Sequence, residues 1–151
     1  MKYPIGTHQC KLDAKGRLMI SADFQEQLGD LLEKGFVIRP GLYSKCIELF
    51  TVDHWMATQE KLNSLSQFVK SNIDVVRKYN AGARLVKVDS NKRLQIPKTM
   101  IEEIGLTKDV VINSLSHYME IWDKDAFKAT LEELTQEEFQ RVLFEKFGDK
   151  L

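Results

Sequence analysis

The feature that most restricts the fold of this chain is an internal repeat. Asp13-Ala14-Lys15-Gly16-Arg17-Leu18-Met19-Ile20 returns 76 positions later as Asp89-Ser90-Asn91-Lys92-Arg93-Leu94-Gln95-Ile96. Both copies read D-x-x-x-R followed by Leu-x-Ile, and the register continues without a gap to Leu28-Gly29 and Ile104-Gly105. Such a repeat signifies a duplicated structural unit. Each unit spans only about fifty residues, too few to bury a large core alone. The copies are therefore expected to pack on each other or on further chains.

The local pattern around each motif is strand, turn, strand. Residues 8–12 alternate toward Cys10 and Leu12, as a half-buried strand does. Asp13 and Gly16 supply turn chemistry, since Asp bonds back to the backbone and Gly accepts a positive φ. Arg17 to Ile20 alternates again, with Leu18 and Ile20 inward and Arg17 and Met19 outward. In the second copy Arg84 to Val88 is expected as a strand partnered by Arg93 to Ile96. Ser21 or Pro97 opens a short helix, and Gly29 or Gly105 ends it. Gly35 to Ile38 and Cys46 to Phe50 read as two further strands, matched by Val110 to Ile112 and Tyr118 to Trp122. Thr51 and Asp123 then cap helices. Phe68, Val75, Val76 and Tyr79 are the expected buried face of the connecting helix. Thr135 and Glu138 have capping-box spacing, ahead of a helix lined by Phe139, Val142, Leu143 and Phe147.

The charge sums to zero, from 22 basic and 22 acidic side chains, which excludes a uniformly basic nucleic-acid binder. It is segregated, however. Lys2, Lys11, Lys15 and Arg17 face Asp13 alone near the start, and Glu132, Glu133, Glu137 and Glu138 cluster near the end. Cys10 and Cys46 form no C-x-x-C pair and read as reduced, buried thiols. No apolar run approaches the roughly 20 residues of a membrane helix, and no signal-peptide core is present. A soluble cytoplasmic protein is expected, with no membrane partner.

Two readings of the repeated motif stay open on chemistry alone. Asp and Arg beside a turn can simply pair and fix the loop. Alternatively, Lys15 and Arg17 in one copy and Lys92 and Arg93 in the other form a pooled cationic face. Arginine suits that role because its fork binds guanine edges or phosphate at two points. Asp13 and Asp89, as anions, are assigned to orienting Arg17 and Arg93 or the turn backbone. Catalysis finds no support. His8, His54 and His117 lack metal-ligand spacing, and no phosphate loop, zinc-protease motif or nucleophile elbow occurs. No metal, cofactor or small-molecule substrate is expected. Trp55 and Trp122 read as packing residues.

Gly6-Thr7-His8 leading to Leu12-Asp-Ala-Lys-Gly-Arg-Leu18, and Ala81-Gly82-Ala83 leading to Val88-Asp-Ser-Asn-Lys-Arg-Leu-Gln-Ile-Pro97, resemble the MraZ family. Ile47-Glu-Leu-Phe50 with Trp55, and Met119-Glu-Ile-Trp122 with Phe127, fit it as well. The resemblance covers nearly all of residues 5–127. It implies an α+β fold of two tandem AbrB-like, swapped-hairpin ββαββ units forming a pseudo-dimeric barrel with helical extensions. The corresponding divisions are residues 7–54, a helical connector 55–82, residues 83–126 and a C-terminal helical extension 127–151. It further implies a ring-shaped homo-oligomer that binds repeated sites on double-stranded DNA. The implied role is a nucleoid-associated transcription regulator of the bacterial division and cell-wall gene cluster. The alternative is an antitoxin-like or other protein-interaction module of AbrB-like fold. Carried over by motif, the DNA-facing residues are Lys15, Arg17 and Arg93, with Lys92 less secure. Three departures stand out. Lys92 replaces the glycine that Gly16 keeps, which puts the second turn's geometry in question. Ser21 stands where proline is usual. Lys2-Tyr3-Pro4-Ile5 precedes Gly6 where an arginine is common, so a basic contact there has either shifted to Lys2 or been lost.

Overall fold

The structure, a computed structural model, describes residues 3–151. Each copy opens with two short strands: β1 (Thr7–Lys11) and β2 (Arg17–Met19), then β5 (Arg84–Val86) and β6 (Arg93–Gln95). A seven-residue helix follows, α1 (Ala22–Leu28) or α5 (Lys98–Ile104). The first copy inserts one further helical turn, α2 (Leu31–Lys34). A hairpin comes next, β3 (Phe36–Pro40) with β4 (Ile47–Thr51), or β7 (Asp109–Ser114) with β8 (Met119–Asp123). Two helices end each copy: α3 (Val52–Asn63) and α4 (Lys70–Asn80), then α6 (Lys124–Glu133) and α7 (Gln136–Phe147).

Helix starts follow the cap residues. The side chains of Ser21, Thr51, Asp123 and Thr135 accept the backbone N–H groups of Phe24, His54, Ala126 and Glu138. Each satisfies an amide that the first helical turn leaves unpaired. Pro97 holds the Ser21 position in the second copy without a side-chain bond.

The result is a mixed α+β fold whose two copies are interleaved. The main sheet is antiparallel with order β1-β7-β8-β4-β3-β5, so each copy's first strand is an edge laid against the other copy's third strand. A second sheet consists of β2 and β6 alone. Neither sheet closes on itself. The expected partnership within each copy is corrected here: β1 meets β2 only through one bridge, Leu12 to Leu18, and the second copy has only Val88 to Leu94. Alternation fixes which face a side chain takes, not which strand lies beside it. The intervening turn consumes the local amides, and the strands then complete their ladders across the repeat.

One core lies between the main sheet and the β2–β6 ribbon with α1 and α5. Leu18 and Leu94, opposite each other in the ribbon, are both fully buried beside Ile20, Ile96, Phe24 and Ile104. Each buried leucine stabilises by about 1.5–3 kcal/mol, so the core pins the ribbon at its centre. The sheet's other face carries Val37 and Phe50, packed with Trp55 of α3 and Tyr79 of α4, and Val111 and Trp122, packed with Cys46 beside β4 and with Ala126 and Phe127 of α6. There Arg39 is buried, giving Nε and Nη2 to Glu48 at 2.8 and 2.6 Å and Nη1 to the Tyr79 carbonyl at 2.6 Å. Glu120 lies across from Glu48 and accepts the Trp122 indole N–H. Asn113 faces Glu120 as Arg39 faces Glu48. The two halves thus differ in how they treat a buried carboxylate.

The helical extensions bury less than the periodicity suggested. Phe68 and Val75 of the connector are exposed, and only Val76 and Tyr79 of that expected face are half-buried. In α7 Phe139, Val142 and Phe147 are exposed and Leu143 is half-buried. Amphipathic spacing specifies an apolar face, but a face needs a partner surface before it is buried.

Candidate nucleic-acid interface

Both D-x-x-x-R segments fold into the same turn. In the first, Asp13 Oδ1 accepts the backbone N–H groups of Lys15 (3.0 Å) and Arg17 (2.8 Å). Its Oδ2 accepts Arg17 Nε at 2.7 Å. In the second, Asp89 Oδ1 accepts from Asn91 (2.8 Å) and Arg93 (3.0 Å), and Oδ2 accepts Arg93 Nε at 2.9 Å. A further pair of backbone bonds, Asp N–H to Arg carbonyl and back from the fourth residue to the Asp carbonyl, closes each loop. Spacing explains the residue types. Asp at the first position reaches the amides of the third and fifth, and its second oxygen takes the fifth side chain. The structural pairing therefore does occur, and it holds the arginine rather than consuming it. Among the described residues no partner is found for the terminal guanidinium nitrogens of Arg17 or Arg93.

The fourth position has a positive φ in both turns, 78° at Gly16 and 63° at Lys92. Lys92 is the sole non-glycine residue with positive φ among those described. The question that Lys92 raised over the second turn's geometry is answered in the backbone: the lysine adopts the glycine conformation, at an expected cost of about 1–2 kcal/mol. The turns also interlock. Gly16 O accepts Ile96 N–H at 2.8 Å, and Lys92 O accepts Ile20 N–H at 3.0 Å.

The ribbon arranges the arginines. Arg17 pairs with Gln95, Leu18 with Leu94 and Met19 with Arg93. Because side chains alternate, the outward face carries Arg17, Met19, Arg93 and Gln95. The arginines sit on a diagonal, whose Cα atoms are about 7–8 Å apart in such pairing. Lys15 and Lys92 lie exposed at opposite ends of the ribbon. All four predicted cations are thereby brought to one ribbon, with Asp13, Gly16 and Asp89 shaping its turns. Lys2 lies outside the described residues.

Both aspartates are held below the usual carboxylate range. For Asp13 the chief cause is the Arg17 backbone N–H, helped by the Arg17 side chain and the Lys15 amide. For Asp89 the largest influence is desolvation, which pushes upward, but the Arg93 and Asn91 amides and the guanidinium outweigh it. These groups are anions at neutral pH and keep their arginines in place.

Gln95 is the residue of this face that sequence reasoning did not single out. Its Nε2 donates to Lys15 O at 2.7 Å and so ties the end of β6 to the first turn. The repeat held the signal, since position 95 aligns with Met19 and both lie two residues beyond an arginine. Elsewhere, His54 stacks on Phe50 and His117 packs on Tyr118, which itself stacks on Phe50. Burial and the nearby His117 charge hold the His54 pKa down. Among the described residues no cluster of three or more His, Cys, Asp or Glu is placed to hold a metal, and no helix is long and apolar enough to cross a membrane.

Comparison with known proteins follows the same two halves. The family model described as "MraZ protein, putative antitoxin-like" matches twice, over residues 5–78 and 80–149. A protein of Christiangramia forsetii named "Transcriptional regulator MraZ" is 39% identical over 145 residues, 96% of this chain and 93% of its own length. Proteins of the same name from Flavobacterium psychrophilum and Acetivibrio thermocellus are 38% and 36% identical, over 88% and 82% of this chain and 85% and 83% of theirs. With two matched repeats and relatives aligned over nearly the whole length, the chain belongs to the MraZ family.

Proposed function

We propose that this chain is a transcription regulator that binds double-stranded DNA through the β2–β6 ribbon. The observation that carries the proposal is the outward diagonal of Arg17 and Arg93, each held through Nε by an aspartate with its far end open. A B-DNA major groove admits a two-stranded ribbon, and an arginine fork matches guanine O6 and N7. Lys15 and Lys92 flank the ribbon and would meet phosphate. The relatives' printed name supports regulation of transcription. No catalytic role is assigned to the chain.

The finer reading is a swapped-hairpin pseudo-dimer acting in the cytoplasm at the nucleoid, on promoter repeats of the division and cell-wall gene cluster. Its tandem units would be residues 7–54 and 83–126, with helical segments 55–82 and 127–151. Copies of the chain would close into a ring through those segments. Exposed Met56, Phe68, Leu131 and Phe144 support such assembly, and several copies engaging repeated sites would multiply a modest single-site affinity. The same exposed apolar residues also suit the second reading, an antitoxin-like module that binds a partner protein.

Fluorescence anisotropy with a duplex from upstream of this chain's own gene tests the proposal. Tight, salt-sensitive binding by the wild type is expected, with loss of roughly 30-fold or more in the Arg17→Ala/Arg93→Ala double variant, from about 1–3 kcal/mol per arginine. Unchanged binding by the double variant would reject the ribbon as the reader. Deleting one DNA repeat should weaken binding steeply, and an isolated repeat that bound as tightly as the array would remove the multivalent mechanism.

A further inference from the structure

We infer that Lys98 and Lys108, with Lys15, form a phosphate-holding flank beside the first turn, so that DNA is gripped asymmetrically. This inference rests on the DNA-binding reading of the ribbon. A groove runs along the first turn, walled by the end of β6, by α5 and by the segment ahead of β7. Lys15, Lys98 and Lys108 all line it and are exposed. Among the described residues none of the three amines has a carboxylate within ion-pair distance. The groove also holds two carboxylates. Asp13 is engaged by Arg17 at 2.7 Å, and Glu102 is the remaining carboxylate of the lining.

The duplication supplies an internal control. At the matching positions of the other copy, Lys15 is replaced by Asn91 and Lys98 by Ala22. Lys108 corresponds to Lys34 when the copies are aligned by strand register, with Asn113 opposite Glu120 as Arg39 is opposite Glu48. Lys34 is committed to Asp53, 3.1 Å away. All three free cations around the first turn thus lack a free counterpart around the second. The two turns present the same arginine from the same scaffold, yet the first continues into a groove lined by three unpaired lysines against Asp13 and Glu102, while the second carries Lys92 on the turn itself. A nucleic acid backbone leaving the ribbon meets more positive charge at that end.

Salt titrations of binding test this. The wild-type chain, Lys98→Gln/Lys108→Gln and a control, Lys78→Gln on the exposed side of α4, are titrated on the upstream duplex and on a scrambled duplex. Each phosphate contact contributes about 0.9 to the slope of log K against log salt. The double variant is expected to lower the slope magnitude by roughly 2, weakening both duplexes alike and leaving their affinity ratio unchanged. Glu102→Gln is expected to tighten both. A double variant whose slope matches the wild type or the control overturns the flank, even though the ribbon still binds. If the wild type binds neither duplex, the DNA reading falls and the flank falls with it.

Discussion

In the first turn a glycine holds the left-handed position before the arginine, and in the second that position belongs to Lys92. The bond pattern around the aspartates is otherwise the same, so the aspartate and the interlocking backbone bonds determine the turn, and glycine only lowers its cost. The surroundings explain why the substitution is tolerated on one side. A Cβ added at Gly16 would lie 2.9 Å from Ile96 O and 3.1 Å from Gln95 Nε2. Gln95 crosses to the first turn, whereas Met19 at its equivalent position has no amide to do the same. The first turn is therefore clamped, glycine-dependent and set beside free cations. The second is looser and carries its extra cation on the turn itself.

Transposing residues between the turns is the strongest way to break this comparison. Gly16→Lys is expected to cost about 2–3 kcal/mol from left-handed strain and crowding, seen as a lower urea midpoint. Gln95→Met, which removes the 2.7 Å bond to Lys15 O, should cost about 1 kcal/mol and loosen the first turn alone, read as faster amide exchange at Lys15 to Arg17. Lys92→Gly should change stability in the opposite direction, by up to about 1 kcal/mol, because relief of strain is partly offset by a freer unfolded chain.

The smallest effect concerns acid. Both folded aspartate pKa values are depressed, so their stabilising contribution is complete above the unfolded carboxylate value near 3.8. It is lost as pH falls through the lower folded values. Urea midpoints measured from pH 5 downward should fall less steeply in Asp13→Asn/Asp89→Asn than in the wild type. Identical slopes would mean that the aspartates hold their arginines without linkage to stability.

Much of this was legible in the residues. The repeat offset placed both turns, alternation separated Leu18 and Ile20 from Arg17 and Met19, and the four side-chain caps were visible from residue type and position. Strand partners were not, because a period of two says nothing about which copy supplies the neighbouring ladder. Arg39 stands beside Pro40 after an apolar run, with nothing local to mark it as buried, yet it is buried against Glu48, since its partner lies on another strand and its remaining bond reaches the Tyr79 carbonyl of α4. Lys98 and Lys108 look like ordinary surface lysines until the fold brings them to the same groove as Lys15. The Asp–Arg contacts within each turn were readable because the bonding is local, from residue i to residue i+4.

That the first turn, clamped and set beside free lysines, is the primary reader is most directly tested by measuring dissociation constants for Arg17→Ala and Arg93→Ala, singly, on the upstream duplex at one salt concentration. Both should weaken binding, with Arg17→Ala the more damaging by at least about threefold, and Asp13→Ala should weaken it less than Arg17→Ala. Equal losses, or a larger loss for Arg93→Ala, would contradict the first turn's primacy.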